Sequence, residues 1–191
     1  MKKIVLFIVA VVAGCVTLSA QSVVCDTFHY ATNDGEELYL DRYMLDVETD
    51  APRPCMIFAF GGGFVRGERD HEYYSIYFDR LAREGIVVVS IDYRLGLRNL
   101  QPDGGMIAMI SIFDNAVNIA VEDMYAATNY VIDNAEAWMV DTSKIMISGS
   151  SAGAITAVQA EWMSCFISSR WVFPSAGQRD FTTGSSTLLA K

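Results

Sequence analysis

Lys144-Ile145-Met146-Ile147-Ser148 followed by Gly149-Ser150-Ser151-Ala152-Gly153 is the stretch that decides how this chain is read. The first five residues are a short apolar run of the kind that makes a buried central strand. The next five have the Gly-x-Ser-x-Gly spacing of a sharp strand-to-helix turn, which lifts the middle serine, Ser151, clear of a sheet. The turn is tight enough that residues two positions either side must lack a branched Cβ, and Gly149 and Gly153 meet that requirement. Residues 152–162 are small and apolar and continue as a helix. The same segment also suits a plain packing joint without chemistry, so its meaning depends on what surrounds it.

Length and composition set the frame. With 191 residues, 52% of them hydrophobic and 12% aromatic, the chain suits one globular domain with a substantial core. Residues 1–20 stand apart. Lys2 and Lys3 precede an apolar stretch that ends in small residues near Ser19-Ala20, the pattern of a secretory signal removed before Gln21. Val12-Ala13-Gly14-Cys15 offers the competing reading of a lipoprotein anchored through Cys15. Both readings export the protein, to a bacterial periplasm or beyond, and neither leaves an integral span. The formal charge of −9 argues against nucleic acid or an anionic membrane as partner and favours a neutral substrate. Cys25, Cys55 and Cys165 allow one bridge in an oxidising compartment, in a pairing the sequence does not specify. No cysteine spacing suggests zinc, and His29 and His71 are too isolated for a metal site, so neither metal nor organic cofactor is expected.

Upstream, residues 27–30 and 38–47 read as strands around the turn Asn33-Asp34-Gly35, closed by Pro52 and Pro54. Residues 55–60 and 85–91 are continuous apolar runs, read as buried parallel strands. Between them Tyr74, Tyr77, Phe78 and Leu81 recur at helical spacing, with Gly85 as a C-terminal cap. Residues 94–110 are the least regular stretch. Val117, Val121, Met124, Thr128, Val131 and Ala135 then mark one face of a long helix leading to the strand near Lys144. Strands alternating with helices of this length predict an α/β fold, a mostly parallel sheet with an antiparallel N-terminal hairpin and helices on both faces.

A second motif sits at the end of the first apolar strand: Phe60-Gly61-Gly62-Gly63-Phe64. Consecutive glycines let backbone N–H groups turn inward, where they stabilise the oxygen of a tetrahedral intermediate. A flexible turn or a phosphate loop would use glycine similarly, but the Gly-Lys-Ser/Thr of the usual nucleotide loop does not follow. With Asp92-Tyr93-Arg94-Leu95 after the next strand and Glu122-Asp123 in the helix before the elbow, four elements occur in order. Over residues 39–162 the chain resembles the esterase and lipase branch of the α/β-hydrolases, near the hormone-sensitive-lipase-like and feruloyl or acetylxylan esterase-like groups. The resemblance implies a carboxylic ester hydrolase with Ser151 as nucleophile and Gly62, Gly63 and the Ala152 N–H as oxyanion hole. It implies a small-molecule or polysaccharide-linked ester as substrate.

Two departures qualify that implication. Phe60 stands where the family usually has histidine, and it reads as a core residue. More seriously, the family's order is nucleophile, acid, histidine, and no histidine follows Ser151 in this sequence. No triad acid is identifiable either: Asp180 is the one acid after Glu161, in surroundings unlike the family's. His71 and His29 are poor substitutes. Residues 163–191 change composition abruptly and lack helix or strand periodicity, so the expectation is an atypical tail, read either as a shift of reading frame that removes the C-terminal strands or as a natural extension. The expected product is an impaired esterase, or alternatively an inactive ester- or glycan-binding domain on the same fold.

Overall fold

The computed structural model describes residues 22–98 and 105–167. The expected leader at 1–20, the residues around Pro102 and most of the expected tail, including Asp180, lie outside the described residues.

The hairpin forms first in the chain. β1 (Val23–Asn33) and β2 (Glu36–Leu45) pair antiparallel from Val23↔Leu45 to Asn33↔Glu36, with a bulge between His29 and Ala31. Asp34 and Gly35, both at positive φ (51° and 80°), make the mirror-image turn that suits the twist of the two strands. β1 is longer than the sequence reading and β2 ends two residues earlier.

β3 (Arg53–Ala59), α1 (Glu72–Arg83) and β4 (Val87–Ile91) follow as a parallel β-α-β unit, β3 and β4 pairing from Cys55↔Val87 to Ala59↔Ile91. Pro54 was expected to close the hairpin unit. Instead it lies inside β3, near the strand's start, where a missing N–H is tolerated. α1 ends at the cap Glu84, with Gly85 at φ 85° just beyond, as the glycine signal predicts. α2 (Met106–Asp133) begins inside the stretch expected to be irregular, because its first turns carry apolar side chains without helical periodicity. Val117, Val121, Met124, Thr128 and Val131 are buried as expected, and Ala135 is buried just past the helix end.

β5 (Val140–Gly149) pairs parallel with β3, and α3 (Ala152–Ile167) runs past the expected boundary at residue 162. The strand order is β1-β2-β4-β3-β5. β5 was expected to be a buried central strand. Among the described residues it has a neighbour on one side only, and Met146 is 49% exposed, whereas every residue of β4 is buried. α1 packs on β2 and β4, while α2 and α3 pack on each other. This order contains a switch point: the chain leaves β3 toward β4 and leaves β4 across β3 to β5, so the loops after β3 and β5 open a crevice at the same sheet end.

Candidate active site

Both sequence motifs meet at that crevice. Ser151 has φ 50°, a left-handed conformation that a non-glycine residue adopts only under constraint, and its side chain is exposed. The constraint is steric interlocking around glycine. A Cβ on Gly149 would lie 2.3 Å from the Gly153 carbonyl carbon, and one on Gly153 would lie 2.1 Å from the Ala59 oxygen at the end of β3. The Ser150 N–H donates to that same Ala59 oxygen at 3.1 Å, pinning the elbow to the strand. α3 starts immediately after, with the Ser151 carbonyl accepting from Ile155 N–H at 3.1 Å. The small residues at the two outer positions of the motif are therefore required by contacts.

The glycine loop leans on the elbow. A Cβ on Gly61 would lie 2.9 Å from the Ser150 carbonyl oxygen and 3.2 Å from the Ser151 Cβ. Gly62, at φ 151°, turns its carbonyl toward the N–H groups of Val65 and Arg66, both at 3.2 Å, and a Cβ there would fall 1.7 Å from the Arg66 oxygen. Among the described residues no acceptor takes the N–H of Gly62, Gly63 or Ala152. Ala152 is the first residue of α3, whose leading N–H groups have no intrahelical partner, so its amide carries the positive end of the helix dipole. The structure thus brings Ser151 and Ala152 together with the loop that holds Gly62 and Gly63.

Phe60 is 2% exposed and stacks on Tyr93 with ring centroids 4.5 Å apart, which makes it a core residue. Tyr93 Oη donates to the Phe60 carbonyl at 2.7 Å. Further along, Arg69 binds Asp92 at 2.7 Å and sits 3.1 Å from Asp41, while Ser90 Oγ donates to the Arg69 carbonyl at 2.8 Å. These contacts tie the loop between β3 and α1 down onto the sheet.

The two remaining ordered motifs turn out to be one ionic network. Arg94 donates through its backbone N–H (2.8 Å) and its Nε (3.0 Å) to Asp123, reaches Glu122 at 2.9 Å, and pairs with Asp34 of the hairpin turn. Asn33 Nδ2 adds a bond to Asp123 at 2.6 Å. Burial disfavours both charges, and the bonds to Asp123 and Glu122 more than offset this for Arg94, which is held above the usual guanidinium range. The network joins hairpin, post-β4 loop and α2, and so braces the loop that carries Tyr93. The sequence showed these residues without their connection.

Neither described histidine is placed as a base. His71 caps α1, and its Nδ1 accepts the Tyr73 N–H at 3.2 Å. A neutral ring accepting at Nδ1 carries its proton on Nε2, the reverse of what removing a serine proton requires. His29 lies on β1 against Thr32 (3.0 Å) and Tyr39, four strand spacings from β5 and so about 19 Å away across the sheet. Cys25 and Cys55 are both free thiols, and burial pushes Cys55 up to about 12. Among the described residues no group of three metal-ligating side chains forms, and no helix is long and apolar enough to cross a membrane.

The chain is similar to known esterases. Esterase B1 of Culex pipiens is 29% identical over 120 residues, covering 62% of this chain and 21% of that protein. The fumonisin B1 esterase of Sphingopyxis macrogoltabida is 34% identical over 103 residues, covering 53% and 18%. Among solved structures, a bacterial heroin esterase superposes with TM-score 0.58 at 27% identity, over 79% of this chain and 42% of that one. Esterase 2 of Thermogutta terrifontis gives 0.56 at 28%, over 70% and 42%. The chain therefore spans about a fifth of the curated relatives and under half of the solved ones. The family model described as BD-FAE matches residues 40–163, both motifs included. On that match, the chain belongs to the BD-FAE family of esterase-like α/β-hydrolases.

Proposed function

We propose that Ser151 is the nucleophile of a carboxylic ester hydrolase site. The observation that carries this reading is the strained, exposed Ser151 on the β5–α3 elbow, with the glycine loop packed against it. Ser151 Oγ attacks the ester carbonyl carbon, and the carbonyl π electrons move onto oxygen. The N–H groups of Gly62, Gly63 and Ala152 receive that oxyanion. Collapse expels the alcohol, which takes up a proton, and leaves an acyl-serine. Water then attacks the acyl carbon, releasing the acid and restoring the hydroxyl.

Among the described residues neither histidine is seen to serve Ser151 as a proton-transfer partner: His71 Nδ1 is taken by the Tyr73 N–H, and His29 lies on β1 against Thr32. Loss of a triad member typically leaves about 10³ to 10⁴-fold catalysis over water, from binding and the oxyanion hole. This chain by itself is therefore an impaired esterase. Its substrate is a neutral small-molecule ester, or one linked to a polysaccharide, in keeping with its acidic surface, and its amino-terminal residues direct export.

The test is hydrolysis of p-nitrophenyl acetate and butyrate by the chain and by Ser151→Ala. The expected result is slow turnover that falls at least tenfold in the variant. Equal rates would instead favour an inactive ester- or glycan-binding domain.

A further inference from the structure

Three consecutive glycines have more backbone freedom than any other tripeptide, yet an oxyanion hole works only if its donors are fixed before the reaction. Something must hold residues 61–63 in place. The Phe60–Gly61 peptide is gripped at both of its polar groups. Its carbonyl accepts from Tyr93 Oη at 2.7 Å, and its N–H donates to Tyr74 Oη at 3.3 Å. Tyr93 comes from the loop just after β4 and Tyr74 from the first turn of α1, so two separate segments clamp one peptide plane.

We propose that Tyr74 is a positioning residue for the oxyanion loop. By taking the Gly61 N–H, it removes that donor from the crevice and fixes the plane from which the next two peptides follow. The Gly62 carbonyl is committed to Val65 and Arg66. In a trans peptide the N–H points opposite the carbonyl, so the Gly63 N–H is directed away from that turn. Gly62 and Gly63 remain as the donors, and Tyr74 determines which N–H groups of the run are offered. Its ring is itself anchored: it lies 5.0 Å from Phe58 and stacks on Phe78 at 6.2 Å, centroid to centroid. The hydroxyl is thus held by packing that does not depend on the hydroxyl. Tyr74 acts through Gly61 and does not touch the reacting atoms. The inference rests on Ser151 being the nucleophile.

The test uses Tyr74→Phe in the full 191-residue chain, since phenylalanine keeps the ring contacts and deletes only the hydroxyl. Two readouts are needed. Amide hydrogen exchange at Gly61 should accelerate about fivefold, the size expected for losing one hydrogen bond, while amides of β3 and β4 are unchanged. The saturating rate of phosphonylation by a fluorophosphonate should fall about tenfold with its half-saturating concentration unchanged. Val131→Ala, a cavity in the α2 core with no contact to Tyr74 or the glycine loop, should lower the melting temperature and leave that rate within twofold. Tyr74→Phe values within twofold of wild type for Gly61 exchange overturn the proposal, as does a rate loss matched by Val131→Ala. A wild-type chain that is not phosphonylated at Ser151 refutes the nucleophile reading, and Gly61 exchange still decides whether Tyr74 holds the loop.

Discussion

Replacing Gly153 with alanine isolates the steric requirement of the elbow. The new Cβ would stand 2.1 Å from the Ala59 oxygen, whereas ordinary van der Waals contact begins at 3.4 Å, so the two must separate by roughly 1 Å. The neighbour is a strand-end carbonyl already engaged by Ser150 N–H at 3.1 Å, and it cannot rotate aside as a flexible side chain could. Overpacking of this kind costs about 1–3 kcal/mol, and loss of the Ser150 bond adds about 1 kcal/mol, for a total near 3 kcal/mol. Because the displaced group carries Ser151, a shift of about 1 Å should also slow phosphonylation about 100-fold. Gly35→Ala is the control. Its φ of 80° makes alanine strained, but no atom lies within 4 Å, so the cost is about 1 kcal/mol and the serine is unaffected. Urea unfolding followed by the buried Trp138 measures both variants. The reasoning is refuted if Gly153→Ala costs no more than Gly35→Ala and leaves the phosphonylation rate unchanged.

The Arg94 network should respond according to burial. Asp123 is fully buried, so Asp123→Ala, which removes the buried partner of Arg94 and leaves the Arg94 N–H and Asn33 Nδ2 without their acceptor, should cost about 3–5 kcal/mol in urea melts. Asp34, 81% exposed, should cost under about 1 kcal/mol when replaced by alanine, and comparable losses at the two positions would contradict the burial argument. Alkaline pH tests Cys55. Burial raises its folded pKa to about 12 from the ordinary 9.0, so the thiol's contribution is fully present below pH 9 and is lost as pH rises toward 12. By pH 11 that loss is about 2–3 kcal/mol, and Cys55→Ala should show a correspondingly shallower decline between pH 9 and 11. Parallel curves for the two proteins would show that the thiol is not insulated in this way.

Much of this site was legible in the sequence because its requirements are local. Steric exclusion at Gly149 acts within the motif itself, against Gly153 and Ala154, whereas that at Gly153 comes from the distant Ala59 and is legible only through the motif's spacing; the alternation of apolar runs with helical spacing predicts parallel strands on either side of the glycine loop. The Asn33-Asp34-Gly35 turn is legible for the same reason, since positive φ at two successive positions restricts residue choice. What escaped the sequence depends on distant pairing. Arg94 and Asp123 lie 29 residues apart, and Tyr74 meets Gly61 only because α1 folds back onto the sheet, with the Tyr74 ring against Phe58. Tyr74 read simply as one apolar position on a helix face, since periodicity reports the ring and says nothing about the hydroxyl. Strand ends also slipped. Pro54 reads as a stop, but near the beginning of β3 its missing N–H does no harm. β5 read as central because Ile145, Met146 and Ile147 are apolar throughout, a pattern that does not reveal how many neighbours a strand has among the described residues.

The most direct test of the account is to incubate the 191-residue chain and Ser151→Ala with a fluorophosphonate and map the modified peptide by mass spectrometry. The account predicts a slow, single adduct on Ser151 that is absent from the variant. A chain that stays unmodified, or an adduct on another residue that persists in Ser151→Ala, would contradict it.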